Sequence, residues 1–182
     1  KNHMLIMPDA DMDQAADALV GAGYGAAGER CMAISVAVPV GEKTADKLVE
    51  KLIPKIESLK IGPYTAGKDI DFGPVVTKEA QNKILGLVDK GVEQGASLKV
   101  DGRNFKMQGY ENGFFVGACL FDNVTKDMEI YINKRFLDPS CLLYALETMR
   151  KLLILLRLTN TEMVLLYLLE METLLVISLI KL

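Results

Sequence analysis

Cys31 is the residue whose surroundings best suit covalent chemistry. It follows Arg30 directly, stands behind the small-residue run GAGYGAAGE, and precedes the apolar stretch Ala33 to Val38. A cysteine attacks as its thiolate, and a neighbouring cation lowers the thiol pKa from its usual value of about 8.5. The pattern therefore predicts that Cys31 is a catalytic nucleophile. The alternative is that Cys31 packs as a small buried hydrophobic residue, as many cysteines do.

Arg30 is suited to bind the carboxylate of a substrate as well as to favour the Cys31 thiolate. A planar guanidinium donates two parallel hydrogen bonds to a carboxylate, whereas a lysine offers a point charge. The alternative is a surface arginine paired with Glu29 or an aspartate, an interaction that contributes little to stability. The residues by themselves leave both interpretations open.

The composition argues against several other kinds of site. The chain has 182 residues and a net charge of −3, without a basic stripe, so we expect no nucleic-acid partner. Three cysteines at irregular spacing and one histidine, His3, predict neither a disulfide framework nor a metal site. Cys119 is read as a packing residue. Apolar runs fall short of the roughly 18 residues that a membrane helix needs, so we expect no membrane partner.

The run GYGAAG at positions 23–28 matches the dinucleotide-binding pattern G-x-G-x-x-G. That fingerprint requires a strand before the glycines and a helix after them, so that the helix N-terminus meets the pyrophosphate. Here a helical pattern precedes the run and a strand-like stretch follows it. We therefore predict no cofactor-binding residue in this run, which instead lets the backbone pack closely behind Cys31.

Helices and strands alternate along the first 131 residues. Helices are predicted where apolar residues recur at helical spacing: Met12 to Val20, a segment capped by Thr44, and the segment after Thr77. Pro54 is expected to kink or break the second helix, and Gly91 and Gly95 to close the third. Strands are predicted at Ala33 to Val38, Ser97 to Val100 and Phe114 to Leu120. The alternation predicts an α/β fold, a parallel-sheet layer with flanking helices.

The C-terminal segment has a different composition. All 15 glycines lie between Gly21 and Gly117, whereas residues 132–182 contain none and hold 17 leucines, against 9 leucines in the preceding 131 residues. These leucines keep no clear helical period. We therefore expect two parts: a domain over residues 1–131, and an unrelated leucine-rich tail over 132–182 that is helical or disordered.

Five motifs of the first part together resemble the aldehyde dehydrogenase superfamily. They are KNH at Lys1 to His3, PDADMD at Pro8 to Asp13, GAAGERCMA at Gly25 to Ala33, GPVVTKEA at Gly73 to Ala80 and GFFVGACLFDNV at Gly113 to Val124. The Arg-Cys pair followed by Met-Ala is similar to the branch that acylates coenzyme A, the methylmalonate-semialdehyde dehydrogenases. The resemblance implies that residues 1–131 are part of a catalytic domain whose dinucleotide fold lies outside this chain.

The same resemblance implies a reaction. Cys31 attacks the aldehyde, NAD takes the hydride, and coenzyme A takes the acyl group from the cysteine thioester, while Arg30 reads the substrate carboxylate. Methylmalonate or malonate semialdehyde would give propionyl-CoA or acetyl-CoA with loss of carbon dioxide, in valine and pyrimidine catabolism. The parent would be a mitochondrial homo-oligomer, and the chain alone is expected to be inactive. Two alternatives remain: an aldehyde dehydrogenase that deacylates with water, and a non-enzymatic interaction protein that docks through its leucine-rich tail.

The resemblance also suggests an origin for the tail. A family motif, EIFGPV, is expected soon after Tyr131, where this chain reads INKRFLDPSCLLY. Codons for Asn133 to Tyr144 can be chosen so that reading from the third base gives QEIFGPVLSVV. We hypothesise that residues 132–182, Cys141 included, are an out-of-frame translation of an aldehyde dehydrogenase gene.

Overall fold

The computed structural model describes residues 2–132, 140–143 and 164–167. Its strands, numbered along the chain, are β1 His3–Ile6, β2 Val36–Pro39, β3 Ser97–Val100, β4 Cys119–Asp122, β5 Ser140–Leu143 and β6 Val164–Tyr167. They form one sheet in the order β3-β4-β5-β2-β1-β6. Neighbouring strands are parallel, except that β3 pairs antiparallel with β4. The α/β class predicted from the sequence is confirmed, with one antiparallel edge.

Four helices accompany the sheet in the described part of the chain: α1 Met12–Tyr24, α2 Glu42–Glu57, α3 Lys78–Glu93 and α4 Glu129–Ile132. Short 3₁₀ turns lie at Gly25–Gly28 and Tyr64–Ala66. The Asp11 side chain caps α1 by accepting from the backbone N–H groups of Asp13 and Gln14 at 2.9 and 3.1 Å. Among the residues described, no helix has the length and apolarity needed to cross a bilayer.

Both faces of β1 and β2 are buried. Met4 and Ile6 of β1 point to a core that α1 and α2 complete, notably through Leu19 and Leu52. Leu5 points to a second core that includes Leu87 and Val88 of α3, Phe121 of β4, and Ile130 of α4. Successive side chains of a strand point to opposite faces, so a strand covered on both sides is apolar throughout, as VAVP of β2 is.

Several predicted boundaries hold and others need correction. The helix over Met12 to Val20 is confirmed, β3 has the predicted bounds, and the Thr77 hydroxyl caps α3 by accepting from Ala80 N–H at 3.1 Å. Thr44 is not a cap, because α2 begins after Gly41 and buries Thr44 inside its first turn. Pro54 does not break α2, which continues through it to Glu57. Only three residues of the helix follow the proline, so little helix depends on the position where its N–H is missing.

The predicted strand ends are shifted. β2 starts at Val36 rather than at Ala33, because the residues before it form a turn, and β4 covers Cys119–Asp122 rather than Phe114 to Leu120. Gly91 does not close α3: it is buried inside the helix, where an added Cβ would lie 3.0 Å from Phe121 and Ile130 side-chain atoms. Gly95, with φ of 92°, follows the end of the helix as predicted.

The tail is described only in part. At Ser140–Leu143 and Val164–Tyr167 the structure places strands that pair with β2, β4 and β1, where the sequence had suggested helix or disorder. The rest of the predicted tail beyond Ile132, and with it most of the leucine-rich segment, lies outside the described residues.

Candidate active site

The chain reaches Cys31 through an unusual backbone path. After α1 ends at Tyr24, Ala26, Ala27 and Gly28 adopt positive φ angles of 53°, 53° and 70°. A left-handed conformation costs an alanine roughly 1–2 kcal/mol, because its Cβ approaches the following carbonyl oxygen. Glu29 N–H donates to Ala26 O at 2.9 Å and closes this part of the path. The left-handed path turns the chain back from the end of α1 towards the sheet.

Cys31 lies at the tip of a tight turn. Ala33 N–H donates to Arg30 O at 3.1 Å, so Cys31 and Met32 occupy the two central positions of the turn. Cys31 is exposed, and Met32 is 55% exposed. The thiol is therefore not the buried packing group that the alternative interpretation required.

The Cys31 turn is tied to two elements of the fold. The Asn2 side chain donates from Nδ2 to Ala33 O at 3.2 Å, and the Asn2 carbonyl accepts from Ser35 and Val36 N–H at 3.3 and 3.1 Å. Ile34 N–H donates to Ala22 O of α1 at 3.1 Å. The turn is thus held between the start of β1 and the last turns of α1.

Tyr24 fixes the end of α1 against the sheet. Its side chain is 1% exposed, and its hydroxyl donates to the Cys119 carbonyl oxygen of β4 at 2.8 Å. A buried hydroxyl needs such a partner, because burying it without one would cost about 1–3 kcal/mol. This contact joins α1, the helix that precedes the Cys31 turn, to β4, which is separated from β2 by β5 in the sheet.

Arg30 is exposed and lies beside the C-terminal end of α1. Its guanidinium contacts Gly25 so closely that a Cβ added there would lie 2.8 Å from both Cζ and Nη1. The carbonyl end of a helix favours a cation, and the last turn of α1 holds no basic residue of its own. Within the described residues the ion pairs involve five other basic side chains and not Arg30: Lys51, Lys55, Lys90, Lys99 and Arg103. Among the described residues, Arg30 therefore forms no ion pair with Glu29 or with an aspartate.

The GYGAAG run does not have the geometry of a dinucleotide cradle. Helix α1 leads into it, and the Cys31 turn and β2 follow it, which is the reverse of the strand–glycines–helix order. No group of three or more metal-ligating side chains occurs among the residues that the structure describes. His3 is buried, with Nε2 3.1 Å from the Tyr131 hydroxyl, and Cys119 is buried with its Sγ accepting from Gly102 N–H at 3.3 Å.

A concavity of about 340 Å³ lies away from Cys31, between α3 and the loop that precedes β4. Two of its polar side chains are engaged within the protein. Gln81 donates to Phe115 O at 2.6 Å and accepts from Lys78 at 2.7 Å. Arg103 binds Asp101 and Asp89, and its guanidinium holds the pKa of Asp101 below the ordinary value. No motif in the sequence of this loop signals a cavity.

Comparisons with known proteins agree with the fold. A model of the aldehyde dehydrogenase family matches residues 1–137. The chain is 55% identical over 141 residues to the malonate-semialdehyde dehydrogenase of Pseudomonas aeruginosa, covering 78% of this chain and 28% of that protein. It is 44% identical over 138 residues to the mitochondrial acylating methylmalonate-semialdehyde dehydrogenase of Arabidopsis thaliana, covering 75% and 22%.

A solved structure is also similar to this chain. A crystal structure assigned as a methylmalonate-semialdehyde dehydrogenase from Sinorhizobium meliloti, in complex with NAD, superposes with a TM-score of 0.82 at 62% identity. The superposition covers 85% of this chain and 31% of that one. The chain spans about a quarter of the length of the two curated relatives, 28% and 22%.

Proposed function

The chain belongs to the aldehyde dehydrogenase family, and from that premise we propose that residues 1–131 are part of the catalytic domain of a semialdehyde dehydrogenase. The substrate would be malonate or methylmalonate semialdehyde, the substrates in the names of the relatives from Pseudomonas and Arabidopsis. The observation that carries the proposal is the exposed Cys31 at the tip of the turn, directly after Arg30.

Cys31 would act as the nucleophile. Its thiolate sulfur forms a bond to the aldehyde carbon, and the carbonyl electron pair moves to the oxygen. Arg30 would bind the carboxylate of the same substrate through its guanidinium nitrogens. A neutral aldehyde would gain nothing from Arg30.

NAD and coenzyme A complete the proposed reaction, with NAD as the hydride acceptor and coenzyme A as the acyl acceptor. The NAD complex of the Sinorhizobium protein and the word "acylating" in the name of the Arabidopsis relative support these assignments. Because GYGAAG lacks the order of a cradle, we assign neither molecule to a described residue. We extend the proposal to a mitochondrial homo-oligomer of valine and pyrimidine catabolism. The name of the Arabidopsis relative supports the mitochondrial location alone.

We also propose that residues 132–182 are encoded out of frame. The family model matches up to residue 137, close to the change in composition, which supports the idea. Sequencing independent transcripts across the Tyr131 codon tests it. A clean in-frame reading that encodes the leucine-rich tail in every transcript would contradict it.

A chimera provides the test of the catalytic proposal, since the relatives are about four times as long as the matched region and we expect no turnover from the 182-residue chain alone. Residues 2–132 replace the matching segment of the Pseudomonas malonate-semialdehyde dehydrogenase. Cys31→Ser should lower kcat by a factor on the order of 10³ or more, whereas Cys119→Ala serves as the matched thiol control. Equal activity of the Cys31→Ser chimera and its parent would refute the assignment.

Arg30→Ala tests substrate recognition in the same chimera. Loss of a charge-assisted pair should lower kcat/KM for malonate semialdehyde roughly 10- to 100-fold more than for propanal. An equal loss for both aldehydes would mean that Arg30 does not read the carboxylate.

A further inference from the structure

We propose that Gly25 is a specificity-determining position. The absence of a side chain there sets where the Arg30 guanidinium lies, and through it the preference for a carboxylate-bearing aldehyde over a neutral one. The inference rests on the role proposed above for Arg30, and Gly25 acts through Arg30 as a positioning residue.

The geometry of Gly25 is specific to this contact. A Cβ at position 25 would lie 2.8 Å from Cζ, 2.8 Å from Nη1 and 3.0 Å from Nη2 of Arg30. Ordinary van der Waals contact begins at 3.4 Å. All three nearest atoms belong to the guanidinium, so an added methyl group would displace that group first.

The backbone at position 25 does not itself call for glycine. Gly25 has φ of −54° and ψ of 132°, a conformation that any L-residue adopts. The next two positions have φ of 53°, where glycine would relieve strain, yet both are alanine. Glycine thus occurs where the backbone does not need it and is missing where it would help. The close approach of Arg30 is the steric requirement that Gly25 meets.

A displaced guanidinium should change recognition more than stability. Arg30 is exposed and forms no ion pair within the described residues, so its flexible side chain can move aside at little cost. A carboxylate bound through two parallel hydrogen bonds is sensitive to such a shift, because misplacement by about 1 Å is enough to cost up to 100-fold in rate. Gly25→Ala should therefore keep the fold and lose selectivity.

The experiment uses the full-length chimera and two aldehydes. Gly25→Ala should lower the ratio of kcat/KM for malonate semialdehyde to kcat/KM for propanal by about tenfold. Most of the loss should appear in KM for the semialdehyde, with kcat for propanal unchanged. Gly21→Ala is the matched control, because nothing lies within 4 Å of an added Cβ there. In the double variant Gly25→Ala/Arg30→Ala, the ratio should equal that of Arg30→Ala alone, since the group displaced by the methyl is gone.

Each outcome decides the question. If Arg30→Ala lowers the ratio and Gly25→Ala does not, the role of Gly25 is wrong while the role of Arg30 stands. A loss in the double variant beyond that of Arg30→Ala would show that Gly25 acts by another route. If Arg30→Ala leaves the ratio unchanged, both proposals fail together. A Gly25→Ala chimera that does not fold contradicts the inference too, because only a flexible side chain stands in the way of the methyl group.

Discussion

Replacement of Asn2 by alanine should loosen the turn that presents Cys31. The Asn2 side chain donates to Ala33 O at 3.2 Å, whereas its backbone carbonyl accepts from Ser35 and Val36 N–H. The substitution removes the first bond and keeps the other two. Its effect is therefore confined to the Ala33 end of the turn and does not extend to the start of β2.

The expected magnitude follows from the burial of the contact. A neutral hydrogen bond contributes about 0.5–1.5 kcal/mol to stability. Ala33 is half-buried, so water can reach its carbonyl oxygen after the substitution, which favours the lower part of that range. A loss of about 0.5–1 kcal/mol corresponds to a fall of about 1–4 °C in the melting temperature of a chain of this size.

Two measurements on the 182-residue chain check the prediction. Thermal unfolding followed by circular dichroism gives the fall in melting temperature. Amide hydrogen exchange gives the local effect: the Ala33 N–H, which donates to Arg30 O, should exchange about two- to fivefold faster. Asn112→Ala is the control, since Asn112 is exposed and its side chain makes no hydrogen bond within the described part.

The reasoning would be refuted by an Asn2→Ala chain in which Ala33 exchange is unchanged. It would also be refuted by a loss above about 3 kcal/mol, because one half-buried neutral hydrogen bond cannot supply so much.

Gly102→Ala should prevent stable folding, because an added Cβ would lie 2.2 Å from the Gly117 carbonyl carbon. Backbone atoms cannot move aside as a flexible side chain can, so the free energy of unfolding measured by urea denaturation should fall by more than about 3 kcal/mol. Near-parental stability would show that the two segments separate easily. The hydrogen bond from Lys51 to Asp13, at 3.1 Å, holds the pKa of the Asp13 carboxyl below its ordinary value and raises that of Lys51. Since the folded pKa is lowered, the stabilisation is present above the ordinary pKa and is lost as the pH falls through the folded value. Lys51→Ala should raise the Asp13 midpoint in an NMR titration, and an unmoved midpoint would contradict the pairing.

Features set by neighbours along the chain were predictable from the sequence. The Thr77 cap and the apolar period of α3 depend on residues within one or two turns of each other, so the helix followed directly. The juxtaposition of Arg30 and Cys31 is likewise local. Their roles in recognition and catalysis remain predictions that the chimera must test.

Features set by distant partners were not predictable. β1 has only four residues and becomes a strand because it pairs with β2 and β6, far along the chain. Gly91 looked like a stop signal, but the approach of Phe121 and Ile130 from other elements keeps it inside α3. The contact between Gly25 and the Arg30 guanidinium also escaped the sequence, because it depends on the left-handed path through Ala26 and Ala27.

The burial of Cys119 gives the chain an internal reporter of opening. Cys119 is 1% exposed within β4 and its sulfur accepts a hydrogen bond from the Gly102 N–H, whereas Cys31 is exposed. An alkylating reagent in solution reaches a buried sulfur such as this one only when local unfolding separates β4 from its neighbouring strands. The rate at which Cys119 is alkylated, followed by mass spectrometry, therefore measures how often this part of the sheet unfolds locally. In the same sample, the alkylation rate of the exposed Cys31 measures the reactivity of its thiol.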